Sequence, residues 1–186
     1  MQRKLLPQRP EEALAFRLVI SGRSKLAWGE HQTFADLVWA PETAMPDIKH
    51  SIQIAAKPEA IYTLVATANG FSQWWAADIR ESESAVELGF FSRATVYRLE
   101  LKLSQPPEQA EWICLTGDEW NGTHITFRLE ASPSGTLVRF SHSGWRAETD
   151  YFVSCNTTWG ELMFRLKAAG EGKSPRPLFL ASTMAY

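Results

Sequence analysis

Cysteine is scarce in this chain: Cys114 and Cys155 stand alone, far apart, with no C-x-x-C pair. That excludes a disulfide framework and a cysteine zinc cage. It makes both thiols small core residues of a reducing compartment, and the expected location is cytoplasmic. No apolar run is long enough to cross a bilayer and the N-terminus lacks a secretory h-region, so no membrane span is expected. No sign of charge prevails either. The net charge is −2 with a pI near 6.1, and acidic and basic residues are interspersed. Nucleic-acid binding would need a concentrated basic stripe, so no nucleic-acid partner is expected.

Catalytic signatures are missing too. There is no G-x-S-x-G, no phosphate loop, no G-x-G-x-x-G after a strand and no H-E-x-x-H. The four histidines are His31, His50, His124 and His142. His124 and His142 fall on adjacent predicted strands without a third ligand, and parity turns His124 toward solvent. The paired carboxylates Asp118-Glu119 sit in a turn beside Trp120 and read as a solvated loop. No metal, no cofactor and no catalytic residue is therefore assigned.

What is present is hydrophobic and aromatic. The 186 residues are 45% hydrophobic, enough for one domain with a sizeable core, and eight are tryptophan. Two of these, Trp74 and Trp75, are adjacent in the stretch NGFSQWW at 69–75. Neighbouring side chains on a helix point about 100° apart, so one face cannot easily bury both rings.

Residues 1–44 read as an N-terminal extension, basic, with two prolines near its start and one short helix around 11–20. Met45-Pro46 precedes a clean strand pattern, which suggests an internal start at Met45. The main domain is expected over 45–175 and a C-terminal tail over 176–186.

Within the domain, Ile48, His50, Ile52 and Ile54 alternate as a half-buried strand. Pro58 opens a helix with Glu59 in its first turn, and Asn69-Gly70 closes it. A second short helix or turn follows over 71–75. Tyr97, Leu99, Leu101 and Leu103 alternate with polar residues, and Pro106-Pro107 ends that strand. Asn121-Gly122 signals a tight hairpin between 112–115 and 125–129, and the turn at 132–135 a second one, leading into 136–142. From about Thr149, Phe152, Cys155, Trp159, Leu162, Met163 and Leu166 recur at helical spacing up to Gly170. The order predicts an α+β fold: a curved antiparallel sheet wrapped around a long C-terminal helix, with two short helices after the first strand.

Four stretches in register, 52–75, 119–130, 135–145 and 151–167, resemble the homologues of the activator of heat-shock protein 90 ATPase. These belong to the helix-grip proteins of the START-like (SRPBCC, birch-pollen-allergen-like) superfamily. The resemblance covers about 48–170 and leaves residues 1–44 outside. It implies a cavity between sheet and long helix, often used for apolar or amphipathic ligands. The superfamily also holds lipid carriers, cyclases, hydratases and co-chaperone domains, so one activity does not follow. Eukaryotic heat-shock activators carry a large additional N-terminal domain that contacts the chaperone, and 44 non-matching residues stand in its place here.

Three functions are open on this reading. The first is a small helix-grip domain binding an apolar or amphipathic small molecule, with Trp74, Trp75, Trp112, Phe127, Phe140, Trp159 and Met163 as pocket wall. His142, which shares a strand side with Val138 and Phe140, and Asn156, beside Cys155 in the apolar stripe, would fix a polar group. The second is a cyclase- or hydrolase-type enzyme using the same cavity with His142 as base. The third is an interaction module acting on a chaperone. An exposed edge strand would allow a homodimer.

Overall fold

The computed structural model describes residues 45–82 and 85–180. The expected extension 1–44 with its helix, and the end of the tail from 181, lie outside the described residues.

Seven strands form one antiparallel sheet in the order β1-β7-β6-β5-β4-β3-β2. They are β1 (Ile48–Ile54), β2 (Asp78–Glu81), β3 (Val86–Phe90), β4 (Thr95–Gln105), β5 (Gln109–Cys114), β6 (His124–Ser132) and β7 (Gly135–Ser143). Helices α1 (Pro58–Ala66) and α2 (Ala68–Phe71) follow β1, and α3 (Asp150–Gly170) closes the domain. This is the expected α+β helix-grip arrangement.

Period-two alternation sends one set of side chains to a common face. Across it, Ile48 pairs with His142, Ile125 with His142 and Trp112 with Ile125. Leu99 continues the row beside Cys114, and Val86 beside Leu99. A register shift between Leu101 and Leu103 bends β4. The 21 residues of α3 lie on this face and bury Phe152, Cys155, Trp159, Leu162, Met163 and Leu166. Each large apolar side chain so buried stabilises by roughly 1.5–3 kcal/mol.

Local chemistry fixes the helix ends. Pro58 begins α1, as expected. The helix stops at Ala66, and Thr67 serves both helices. Its hydroxyl donates to the Thr63 carbonyl at 2.8 Å and accepts from the Gly70 N–H at 2.9 Å. Gly70 is required there, because a Cβ would lie 2.3 Å from the Thr63 carbonyl oxygen. The second helix thus spans 68–71 rather than 71–75, and Trp74 and Trp75 occupy the turns after it.

Two strands were not expected. β2 has four mostly polar residues, too few to show a period, and β3 interrupts its alternation with Gly89. The hairpin at Asn121-Gly122 is longer than its sequence suggests. Main-chain bonds join Cys114 to Thr123 and Gly122 to Cys114, and the loop between folds the Trp120 ring into the core. The tail also joins the domain: the Leu178 and Phe179 N–H groups donate to the Trp74 and Trp75 carbonyls at 3.2 and 3.1 Å.

Candidate functional site

A helix leaves its last four carbonyls without intrahelical partners. In α1 the Leu64 carbonyl accepts from the Trp74 indole N–H at 3.0 Å and the Val65 carbonyl from the Trp112 indole at 2.9 Å. Both rings are buried. Trp74 and Trp112 therefore close a helix end inside the core, which corrects their place in a pocket wall.

Trp74 and Trp75 stack with ring centroids 5.7 Å apart. Beyond Trp74 stands Phe127, at 6.2 Å edge to face. Beyond Trp75 stand Trp159 and Trp120, at 4.9 and 6.4 Å. The adjacent pair is divided, one ring to the core and one to the site.

His142 is fully buried on β7. The Trp159 indole N–H donates to its Nδ1 at 3.1 Å, so Nδ1 is the acceptor and Nε2 carries the proton. Nε2 lies 2.8 Å from the Thr123 hydroxyl, which donates in turn to the Trp120 carbonyl at 2.6 Å. Burial pushes the imidazole pKa down to about 3, leaving it neutral at pH 7. Both ring nitrogens are engaged within the protein, so His142 is neither a free base nor a ligand anchor. It ties β7, α3 and the 115–123 loop together.

The remaining wall candidates also fall elsewhere. Phe127, Phe140 and Met163 are buried in the core, where Phe140 packs on Phe127 at 5.3 Å and on Trp159 at 4.3 Å. Large rings from sheet and helix interdigitate there and fill the space. Asn156 is exposed: one residue past Cys155, the helix has turned by about 100° and carries the amide out of the stripe. His124, on the outer face, meets the Glu111 carboxylate at 2.9 Å.

A cleft of ≈ 780 Å³ does open, between the N-terminal half of α3 and the β3–β4 end of the sheet. Trp75 and Trp159 line it, together with Trp120, Tyr97, Phe90 and Phe179. Helix α3 adds Tyr151, Ser154, Cys155 and Thr158, and the loop adds Asp118 and Glu119. Gly117, at φ +93, lets the loop approach: a Cβ there would lie 2.5 Å from the Tyr97 ring. Trp120 then stacks on Tyr97 with centroids 4.2 Å apart.

The polar atoms of the cleft are neutral donors beside two acids. The Tyr97 and Tyr151 hydroxyls bond to each other. Burial pushes Tyr97 up to about 12 and raises Tyr151, with the Tyr97 bond adding to the latter. Burial also raises the Cys155 thiol, which is free, so it is not a thiolate nucleophile at pH 7. The Glu119 carboxylate accepts from the Thr149 hydroxyl at 2.6 Å, and Thr149 caps α3 by accepting from the Phe152 N–H at 3.1 Å.

Tyr97, Trp120, Tyr151 and Cys155 were not read as site residues. Tyr151 and Cys155 carried a signal, recurring with the expected site residue Trp159 at intervals of four on one helix. Trp120, in a loop, gave none. Among the described residues, no group of three or more His, Cys, Asp or Glu could hold a metal, and no helix is long and apolar enough to cross a membrane.

A seven-stranded antiparallel sheet gripping a C-terminal helix, with short helices after the first strand, is a helix-grip architecture of the START-like (SRPBCC) kind. Within that class the chain belongs to the family described as Activator of Hsp90 ATPase homolog 1-like protein, whose model matches residues 55–171. It is similar to the solution structure of the Aha1 dimer from Colwellia psychrerythraea: 34% identity, 68% of this chain and 97% of that chain covered, TM-score 0.62. The Bacillus halodurans protein BH1534 is 20% identical, with 69% and 99% covered and a TM-score of 0.56. DynU16, from the dynemicin biosynthetic locus, is 13% identical, with 70% and 49% covered and a TM-score of 0.56. The last two likenesses show the fold alone. No curated protein matches the chain.

Proposed function

We propose that the domain binds an apolar or amphipathic small molecule in the cleft between α3 and the β3–β4 end of the sheet. The observation that carries this reading is the cleft itself: ≈ 780 Å³, within the range of small-molecule sites, with aromatic rings on its floor and hydroxyls and two carboxylates among its lining. The two free, buried thiols support a reducing, cytoplasmic setting. A hydrolase or cyclase using His142 is not supported, because both of its nitrogens are bonded inside the core. A chaperone-directed role rests on the family's description alone, and the cleft carries the small-molecule reading further.

Thr158 and Ser154 line the cleft from α3 without being buried, so a large ring can be placed there without disturbing the core. Thermal unfolding of the wild type and of Thr158→Trp, each with a panel of sterols, aromatics and alkyl amphiphiles, tests the reading. The wild type should gain several degrees from at least one class at about 100 times its Kd, and Thr158→Trp should not. Silence of the wild type across the panel would overturn the proposal.

A second observation favours assembly of two copies. The relative from Colwellia psychrerythraea is a dimer, and α3 presents Val153 and Phe164 to solvent at 58% and 69% exposure. Eleven residues apart, they share one helix side. The helix lies along β1, the end strand of the sheet, where the Lys167 ammonium donates to the Gln53 carbonyl at 2.7 Å. We propose pairing through this face. Light scattering should give twice 21.0 kDa, and Phe164→Glu should return the monomer; a monomeric wild type would refute it.

A further inference from the structure

We infer that the C-terminal strap, residues 175–180, is the length gauge of the cleft: the Phe179 ring closes its apolar end and sets the longest hydrocarbon tail a ligand buries there. This rests on the ligand-binding reading above and assigns the residue that selects among ligands.

The first ground is the polarity of the two ends. The lining follows α3 from Tyr151 through Cys155 and Thr158 to Leu162, about 16 Å of helix at 1.5 Å per residue. At the Tyr151 end stand the Tyr97 and Tyr151 hydroxyls, bonded to each other. Glu119 is there too, held by Thr149 at the start of α3, and Asp118 is close enough to act on Tyr97. The other end is apolar, walled by Leu162, Trp75, Phe90 and Phe179. A polar head keeps hydrogen-bonding partners and water only at the first end, so the hydrocarbon tail points toward Phe179.

The second ground is how Phe179 is fastened. The strap leaves the C-terminal end of α3 and runs back beside it. Arg165 on α3 is held by Glu161, its Nε and Nη2 donating to one carboxylate oxygen at 3.0 and 2.9 Å. Its Nη1 donates to the Pro175 and Arg176 carbonyls at 3.1 and 3.0 Å. Farther along, the Phe179 N–H donates to the Trp75 carbonyl at 3.1 Å and the Phe179 carbonyl accepts from the Ala77 N–H at 2.9 Å. The ring packs edge-on against Phe90 and Phe91, with centroids 4.8 and 6.4 Å apart. Backbone bonds on both sides of one residue make its ring a fixed stop, unlike a free surface side chain. Phe179 is half-buried, so its ring is replaceable without opening the core. The strap also lies beyond residue 171, where the match to the family model ends.

Calorimetry of the full chain with 1-alkanols from 1-hexanol to 1-dodecanol tests this. In the wild type affinity should rise about fourfold per added methylene and then level off within the series. Phe179→Ala should move that limit to longer chains, so that the alcohol two carbons past the wild-type limit gains about tenfold. Phe179→Trp should move it to shorter chains. Arg165→Met, which frees the strap without touching the cleft, should lengthen the limit as Phe179→Ala does; a merely structural arginine would lower the melting temperature and leave the limit in place. An unchanged limit in both Phe179 variants would overturn the inference while leaving the cleft a binding site, and so would a wild-type affinity that climbs to 1-dodecanol without levelling. Should Phe179→Ala not fold, Phe179→Trp decides alone. Binding of no alcohol overturns this inference, and the wider panel above then judges the cleft itself.

Discussion

Trp74 and Trp112 meet at the end of α1, where each indole N–H rests on a main-chain carbonyl that the helix could not satisfy. Trp120, on the loop between β5 and β6, is as well buried, stacked between Tyr97 and Trp159. Yet its N–H finds no oxygen or nitrogen acceptor and has only the Cys155 sulfur beside it. The residue type and the burial are the same in both regions; the destination of one polar atom differs. In the first region the ring finishes a helix. In the second the ring forms part of the wall of a cleft. Burial of aromatic area thus reports stability, and the satisfaction of the polar edge separates scaffold from site.

Substitutions can break this contrast. The largest effect should come from Trp74→Ala, which removes a fully buried ring and uncaps Leu64; a loss of about 3–5 kcal/mol is expected by urea unfolding. Acid should come next. The folded pKa of His142, about 3, lies below its unfolded value of about 6.5. Between those values the unfolded chain holds the extra proton, so stability is complete above pH 6.5 and falls as pH drops toward 3. The slope reaches about 1.4 kcal/mol per pH unit, and a His142→Gln variant should lose that slope. Trp112→Phe shrinks the buried ring and orphans the Val65 carbonyl, for a loss of about 2–4 kcal/mol. Trp120→Phe also shrinks a buried ring but leaves no main-chain carbonyl without its donor, so it should cost less than Trp112→Phe by about 1–3 kcal/mol. Equal costs for Trp112→Phe and Trp120→Phe would erase the distinction between the two regions.

Much of the fold was legible because its signals are local. The spacing of Phe152, Cys155, Trp159, Leu162 and Met163 marks α3, and Thr149 before it supplies the cap seen in the structure. The turn at 132–135 joins β6 to β7 as its residues indicate. β2 escaped because four residues cannot display a period.

The site was less legible because its decisive contacts are distant in sequence. Strand parity turns His142 inward, but Thr123 and Trp159, which occupy its nitrogens, come from a loop and a helix. Nothing local to Trp112 shows that its N–H caps a helix 47 residues earlier. Asn156 was misjudged through adjacency to Cys155, although one helical step separates inside from outside. Asp118 and Glu119 were read as a solvated loop, and Trp120 beside them was given no role. The backbone at Gly117 and the stacking on Tyr97 bring it in.

The most direct test is a ¹H–¹⁵N spectrum of the indole N–H signals, assigned by Trp→Phe variants and recorded during titration with the panel compound that most raises the wild-type melting temperature. The account predicts a large shift of the Trp120 signal, with Trp74 and Trp112 unmoved. A stationary Trp120 signal, or equal movement of all three, would contradict it.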